Sequence, residues 1–565
     1  MLRTAISLLL LVIGHYLPAQ TYFQQEVNHR IDVVLDDEKH TLEGGSTITY
    51  INNSPDTLTK FFFHLWPNAH QDNTTALARQ LLRYGRTSFH FATDEQRGGF
   101  ENIAFQVDDK TLQFAAWKGH PDVIELKLEE PISPGASLEI NIAFLLKIPE
   151  SFSRLGHVGQ TYQMTQWYPK PAVYDQEGWH PMPYLDNGEF YSEFGSFDVN
   201  ISLPANYIVA ATGVLQNEDE LSFLETKILE TNALLKKPSI DTMSSKTPSS
   251  NTQLKTLQFK ANQVHDFAWF ADKDFLVQRS KVTIPNGEEV DTWAYFTVEE
   301  VEKWQYATDY LDRSVLFFSR EVGDYPYPHA TAVLNTESAG GGMEYPMITL
   351  IGKEWSYRAL DQVITHEVGH NWFYGILGFN ERDEGWLDEG LTMYYEQRYI
   401  KQFYGQQSNN FFVDGPLLGK SKFNTTQTIQ LYQEATGNDQ AIATTSDSLN
   451  TTNYWLNYYD LPQLWWEYLA AYLGQDSADQ MIQEFFEQWQ FKHPSGKDVQ
   501  AFFEQSSAKD LSWLFDDLFR KNEKIDYAIK TSTSDEEQVK VVLENKGSVP
   551  APFPLAVVDK SGNDS

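Results

Sequence analysis

The chain of 565 residues contains no cysteine. That removes disulfides, thiolate nucleophiles and thiolate metal ligands, so any metal must be held by histidine and carboxylate. Positive charge is scarce: 43 Lys and Arg stand against 78 Asp and Glu, a formal net charge of −35. A polyanion of that size is repelled by nucleic acid and by anionic membrane surfaces, and nucleic acid is not expected as a partner. Long hydrophobic runs are missing except near the N-terminus, where Ala5 to Gly14 is apolar apart from Ser7. With Arg3 before it and Leu17-Pro18-Ala19-Gln20 after it, the segment 1–19 reads as a signal peptide cleaved after Ala19. The run is too short to span a bilayer comfortably, so the expectation is an exported, periplasmic or extracellular protein without stable membrane insertion.

What is present is aromatic and patterned. The chain has 36 Phe, 29 Tyr and 15 Trp, ample material for buried cores, and its length suits two to four domains. Segments such as Arg30 to Leu35, Ser46 to Ile51, Leu138 to Phe144 and Phe197 to Leu203 alternate or cluster β-formers between Asn, Gly and Asp turns. They predict a mostly antiparallel β domain over 20–280, with a polar, mobile insertion at 232–254. From Thr297 the apolar period becomes helical (Val301, Trp304, Ala307, Leu311, Val315, Phe318), and helical patterns recur at 356–374, 385–404, 462–473, 476–491 and 497–520. The stretch 405–453 is polar and reads as a long surface loop. The domain reading is therefore α+β: the β domain, a mixed α/β catalytic domain at 281–473, a helical segment at 474–529, and a short β tail or start of a further β domain at 530–565.

The chemistry sits in His366-Glu367-Val368-Gly369-His370. Positions four apart on a helix share a face and lie about 6 Å apart along the axis, close enough for two imidazoles to reach one zinc ion. The intervening Glu367 is then placed to activate a water molecule. Eighteen residues separate His370 from Glu389, in Gly385-Trp386-Leu387-Asp388-Glu389-Gly390. A helix, a turn and a second helix would return Glu389 to the two histidines, giving two nitrogens, one carboxylate and an open position, the set that catalytic zinc requires. Gly369 costs a helix about 1 kcal/mol relative to Ala, which a close helix or metal approach would explain.

These residues resemble the gluzincin aminopeptidases, the family of aminopeptidase N and leukotriene hydrolase. The family pattern is H-E-x-x-H, then 18 residues, then Glu within W-L-N-E-G; here the second motif reads Trp-Leu-Asp-Glu-Gly. Gly341-Gly342-Met343-Glu344-Tyr345 resembles the family's G-x-M-E-N segment, and Tyr325-Pro326-Tyr327-Pro328 resembles the stretch before it. The resemblance implies a thermolysin-like catalytic domain, one zinc ion and a hydrolase that releases N-terminal residues from peptides. It implies that Glu344 binds the free α-amino group, with Gly340, Gly341, Gly342 and Met343 lining the substrate backbone. It implies an oxyanion-stabilising tyrosine, for which Tyr459 is the candidate; Tyr458 competes with it because the family's Lys-Gly pair is absent, and Tyr454 stands where leukotriene hydrolase has a second tyrosine. Thr165-Gln166 resembles a family segment near the substrate's first residue, which makes Gln166 a further candidate. Peptides with free N-termini are the expected partners. The rival readings are an endopeptidase or epoxide-opening hydrolase on the same scaffold, and a catalytically silent binding protein.

Overall fold

The computed structural model describes residues 22–240, 248–335, 341–405, 425–534 and 538–553. The candidate signal peptide lies outside them, as does Gly340. Among the described residues no helix is long and apolar enough to cross a membrane.

Alternation builds the first region. In Glu26–Asp36, Val27, Ile31, Val33 and Leu35 are buried, while Arg30, Asp32 and Val34 face solvent. This strand lies inside an eight-stranded sheet, between Gly195–Pro204 on one side and Thr41–Ile51 on the other. Thr41–Ile51 continues to Ser137–Lys147 and Gly99–Val107. The expectation of antiparallel pairing holds except at one seam, where Glu26–Asp36 runs parallel to Gly195–Pro204. Two four-stranded sheets and a two-stranded one (Tyr174–Asp175 with Gly178–Trp179) accompany the large sheet. One four-stranded sheet carries Leu58–His64 and His120–Ile132, the other Thr161–Met164 and Trp269–Asp272. Phe61, Phe63, Leu126, Tyr162, Trp167 and Trp269 from these sheets join the inward residues of the large one in a common core.

Two helices interrupt this region: α1 (Ala76–Arg83) and α2 (Glu218–Leu235). The second corrects the insertion expected at 232–254, because residues 232–235 are the last turn of α2 and Leu254 begins the strand Leu254–Val264. Residues 241–247 lie outside the described set. The helix escaped notice because only Glu220, Leu224 and Thr231 of it are buried, which leaves almost no apolar period. The boundary at 280 also moves. Leu276–Thr283 pairs with Glu289–Phe296 in the next sheet, and β-rich sequence runs straight through the junction without a break in composition.

That next sheet has five strands, ordered Leu276–Thr283, Glu289–Phe296, His329–Leu334, Ile348–Ile351 and Gly342–Tyr345. Gly342–Tyr345 is the edge, antiparallel to its neighbour, and lies along the helix Tyr357–His370. Four helices matter for the site: α3 (Ala307–Glu321), α4 (Tyr357–His370), α5 (Glu381–Tyr404) and α6 (Leu461–Leu473). Ser356 caps α4, its side chain accepting from the Ala359 amide. Gly369 faces α3: a Cβ there would stand 2.5 Å from Phe318 Cζ, so a close helix approach accounts for the glycine. Residues 371–376 continue α4 as widened π-type turns, and α5 breaks at Glu384 (φ −137°, ψ 40°) before its long run begins.

The expected surface loop at 405–453 is corrected in its second half, whereas residues 406–424 lie outside the described set. Thr425–Thr436 is helical, and Gln433, Ile442, Ser446 and Leu449 are buried. The stretch is polar because its side chains bind backbone: Ser446 Oγ donates to Arg382 O at 3.0 Å, Gln440 Nε2 to Ser448 O at 2.9 Å, and Asn453 Nδ2 to Asn438 O at 2.7 Å. The tail is a hairpin of Tyr527–Ser534 and Val539–Asn545.

Candidate active site

The helix pair α4–α5 brings His366, His370 and Glu389 together. His370 Nε2 lies 3.1 Å from His366 Nε2, and Glu389 Oε2 lies 3.2 Å from His366 Nε2 and 3.3 Å from His370 Nε2. Ligands about 2.0–2.1 Å from zinc at tetrahedral angles stand about 3.3 Å from one another. The triangle and its donor chemistry therefore fit the ion.

Each imidazole is held from behind. His366 Nδ1 meets Glu396 Oε2 at 2.9 Å, and Gln362 Nε2 donates to Glu396 Oε1 at 2.7 Å. His370 Nδ1 meets Asp388 Oδ1 at 2.6 Å. A carboxylate on Nδ1 fixes the tautomer whose Nε2 lone pair points at the metal. Behind Asp388 stands Glu381, and burial followed by the Asp388 charge raises the Glu381 carboxyl well above its usual range. The charge on His370 and hydrogen bonds from both histidines overcome burial at Glu389 and hold its carboxyl far below the usual value.

These groups open on a cavity of about 250 Å³ lined by Gly341, Gly342, Met343, Glu344, Glu367 and Tyr459, among others. Glu367 and Glu344 are buried, and each keeps a carboxylate oxygen without a hydrogen-bond partner among the described residues. Burial pushes Glu367 up to about 7 against the opposing charges of His366 and His370. Burial likewise pushes Glu344 up to about 8, with Glu189, Glu367 and Glu389 adding to it. The lining carries six carboxylates, Asp186, Glu189, Glu344, Glu367, Glu389 and Glu396, against the single guanidinium of Arg154.

The competing tyrosines separate. Tyr459 reaches Glu389 Oε1 with its hydroxyl, and its ring stacks on His366 at 6.1 Å. Tyr454 also lines the cavity and donates to Glu189 Oε1 at 3.3 Å. Tyr458 points elsewhere, its hydroxyl donating to Thr444 O at 2.9 Å. Gln166 is also displaced from expectation. It is buried outside the cavity, accepting from the Tyr345 hydroxyl at 3.1 Å and donating to Asp266 at 3.4 Å. A left-handed backbone (φ 47°) at Gln166 turns its side chain into this network, a conformation that the residue type does not announce.

Sequence reasoning missed Glu396, Asp388, Glu381 and Glu189. Glu396 was within reach of periodicity, seven residues after Glu389 and so on the same face of α5. Glu189 had no signal. It comes from the loop after Tyr184, pairs with Arg154 Nη2 at 2.5 Å, and leaves its other oxygen unpartnered in the same cavity.

Residues 306–518 match the peptidase family M1 domain. Among curated proteins, the chain is 25% identical to aminopeptidase N of Lactococcus lactis over 246 residues, 41% of this chain and 28% of that protein. It is 34% identical to leukotriene A-4 hydrolase of Xenopus laevis over 73 residues, 13% of this chain and 12% of that protein. The chain thus spans less than a third of the length of either of these curated relatives. Among solved structures, the M1 zinc metallopeptidase of Deinococcus radiodurans superposes with a TM-score of 0.54 at 13% identity, covering 86% of this chain and 90% of that one. Aminopeptidase A of Legionella pneumophila, solved with aspartic acid, superposes with a TM-score of 0.62 at 14% identity, covering 96% of this chain and 55% of that one. These likenesses bear out the multidomain α+β architecture.

Proposed function

From the premise that residues 306–518 belong to peptidase family M1, we propose that the chain is a zinc aminopeptidase with a single catalytic ion held by His366, His370 and Glu389. The carrying observation is that the metal triangle and one oxygen each of Glu367 and Glu344, both without a hydrogen-bond partner among the described residues, share one cavity. A solved two-domain M1 zinc metallopeptidase variant holds L-arginine, and one from Deinococcus radiodurans holds a Tyr-Ser-Ala substrate, which supports peptides as the substrate class.

The ion, when bound, supplies Lewis-acid polarisation of the scissile carbonyl and lowers the pKa of water. Glu367 takes the proton of the attacking water and later delivers it to the leaving amine, a role suited to a buried carboxylate beside the two histidines that keeps an oxygen without a partner among the described residues. Glu344 and Glu189 receive the substrate's ammonium group, which fixes the register at the first residue. The edge strand Gly342–Tyr345 offers backbone partners to the peptide beside that anchor. Tyr459, with its hydroxyl at the rim of the metal triangle, donates to the oxyanion as it forms.

The test is metal analysis together with hydrolysis of free and N-acetylated aminoacyl amides. One zinc per chain, cleavage of free-amine substrates alone, and a Glu367→Gln variant that keeps zinc while losing turnover support the reading. Equal cleavage of N-acetylated substrates would remove the aminopeptidase assignment. We also propose that the protein is exported, on the strength of Arg3, the apolar Ala5 to Gly14 run and Ala19. N-terminal sequencing of the secreted or periplasmic form, expected to begin at Gln20, checks it.

A further inference from the structure

A second cavity, of about 670 Å³, lies on the other side of the loop that carries Glu189. That volume suits a small-molecule ligand, for which sites of about 300–1,000 Å³ are usual. Its charge runs against the chain. Cations make up about a third of all charged side chains, yet Arg79, Arg83, Lys118 and Arg382 line this cavity against only Asp383 and Asp447.

Arg79, Arg83 and Lys118, all exposed, are turned to neutral partners. Arg79 donates to Thr74 O and Arg83 Nη2 donates to the Tyr84 hydroxyl at 3.1 Å. Lys118 stands over the Trp117 ring at 4.2 Å. None of the three forms an ion pair among the described residues. Arg79 and Arg83 are four apart on α1 and so share a face, an arrangement that destabilises a helix unless an anion lies between them. Arg382 is buried, and its Nε lacks a hydrogen-bond partner among the described residues. His120, at the same wall, is held below its ordinary pKa by burial and then by Arg79 and Lys118.

The cavity is tied to the catalytic one. Arg382 Nη2 donates to Pro183 O and Gly188 O at 3.0 and 2.9 Å. Gln80 Oε1 accepts from the amides of Asp186 and Asn187 at 2.7 and 3.0 Å. Asp186, Asn187 and Glu189 line the catalytic cavity, while Gln80, Pro183, Leu185 and Arg382 line this one. One short loop is the common wall.

We propose that this cavity is a binding site for a small organic anion with two or more carboxylate or phosphate groups, gripped by Arg79, Arg83 and Lys118. Guanidinium forks on one helix face suit bidentate oxygen pairs, and the lysine adds a point charge across the cavity. The site is independent of the metal triangle and of the reading of the catalytic cavity.

Calorimetric titration of the zinc-loaded full chain tests it at low salt, with propane-1,2,3-tricarboxylate and fructose 1,6-bisphosphate as probes. The two arms separate a carboxylate from a phosphate ligand. Expected is saturable binding of at least one probe, one per chain, weakened by added salt. In Arg79→Ala/Arg83→Ala affinity should fall at least about tenfold, the loss of charge-assisted contacts, with aminoacyl-amide hydrolysis unchanged. Lys118→Ala provides a second, single-site variant with the same expected direction. Glu344→Ala should leave the binding intact. Absence of saturable binding for both probes, unchanged affinity in the double variant, or loss of binding in Glu344→Ala overturns the proposal.

Discussion

Gly342 and Glu367 are in contact so close that no side chain fits between them: a Cβ on Gly342 would lie 2.5 Å from the Cγ, Cδ and Oε1 of Glu367. The edge strand therefore positions the base from one side while α4 carries it from the other. Its consequence is direct. Gly342→Ala must push the Glu367 carboxylate aside, and a displacement of about 1 Å costs about 100-fold in turnover. Zinc content should stay at the wild-type level, because none of the three ligand atoms belongs to this contact. Turnover within twofold of wild type would show that the carboxylate tolerates the shift.

The carboxylates behind the histidines should govern metal retention. Glu396 and Asp388 each hold an Nδ1, at 2.9 and 2.6 Å. Glu396→Gln and Asp388→Asn are expected to weaken zinc binding by about 10- to 100-fold each, as losses of such partners do. Competition against a chromogenic chelator measures it. Asp388→Asn, closer to the fully buried ligand, should show the larger effect.

Glu344 and Glu189 should act on the substrate's charge and not on the metal. Glu344→Ala and Glu189→Gln are expected to lower kcat/KM for free-amine substrates by about 100-fold each, the loss of one charge-assisted hydrogen bond of about 3 kcal/mol. Zinc binding should be little changed. Initial-rate kinetics over a series of aminoacyl amides distinguishes the two: a loss confined to one of them assigns the anchor to that residue.

Two buried histidines should make the fold sensitive to mild acid. His29 packs flat on Phe197 at 4.5 Å, and burial followed by the Lys170 charge pushes it down to about 3. His265 is likewise pushed down to about 3, chiefly by burial. Both folded values lie below the unfolded one, so the unfolded chain binds more protons below pH 6.5. The stability from each is complete above about pH 6.5 and falls away as pH drops toward about 3. Between pH 6.5 and 5 the loss reaches up to ~2 kcal/mol for each. Urea midpoints at pH 7 and pH 5 measure the slope, and His29→Phe, which keeps the ring stack, should make it shallower. An unchanged slope in that variant would place the acid sensitivity elsewhere.

The catalytic constellation was readable where its chemistry rests on local spacing. His366 and His370 share a helix face by arithmetic alone, and Trp386-Leu387-Asp388-Glu389-Gly390 marks the returning helix. The edge strand with Glu344 was legible through its glycines. Helix α2 was not, because a helix lying on the surface with three buried residues writes little apolar period. Nor was the packed stretch 425–453, since hydrogen bonds to backbone carbonyls leave a polar sequence that looks like a solvated loop.

By itself, then, the order of residues marked His366, His370 and Glu389 as candidate metal ligands, Glu367 as the candidate base, and the two helices and turn that unite them, because each depends on neighbours a few turns apart. Tertiary structure alone decided that Glu189 and Arg154 enter the same cavity, that Gln166 turns away from it, that Tyr458 leaves while Tyr459 stays, and that four cations gather on the far side of one loop. Those placements depend on which distant segments the sheets and helices press together, and distances between such segments leave no period in the chain.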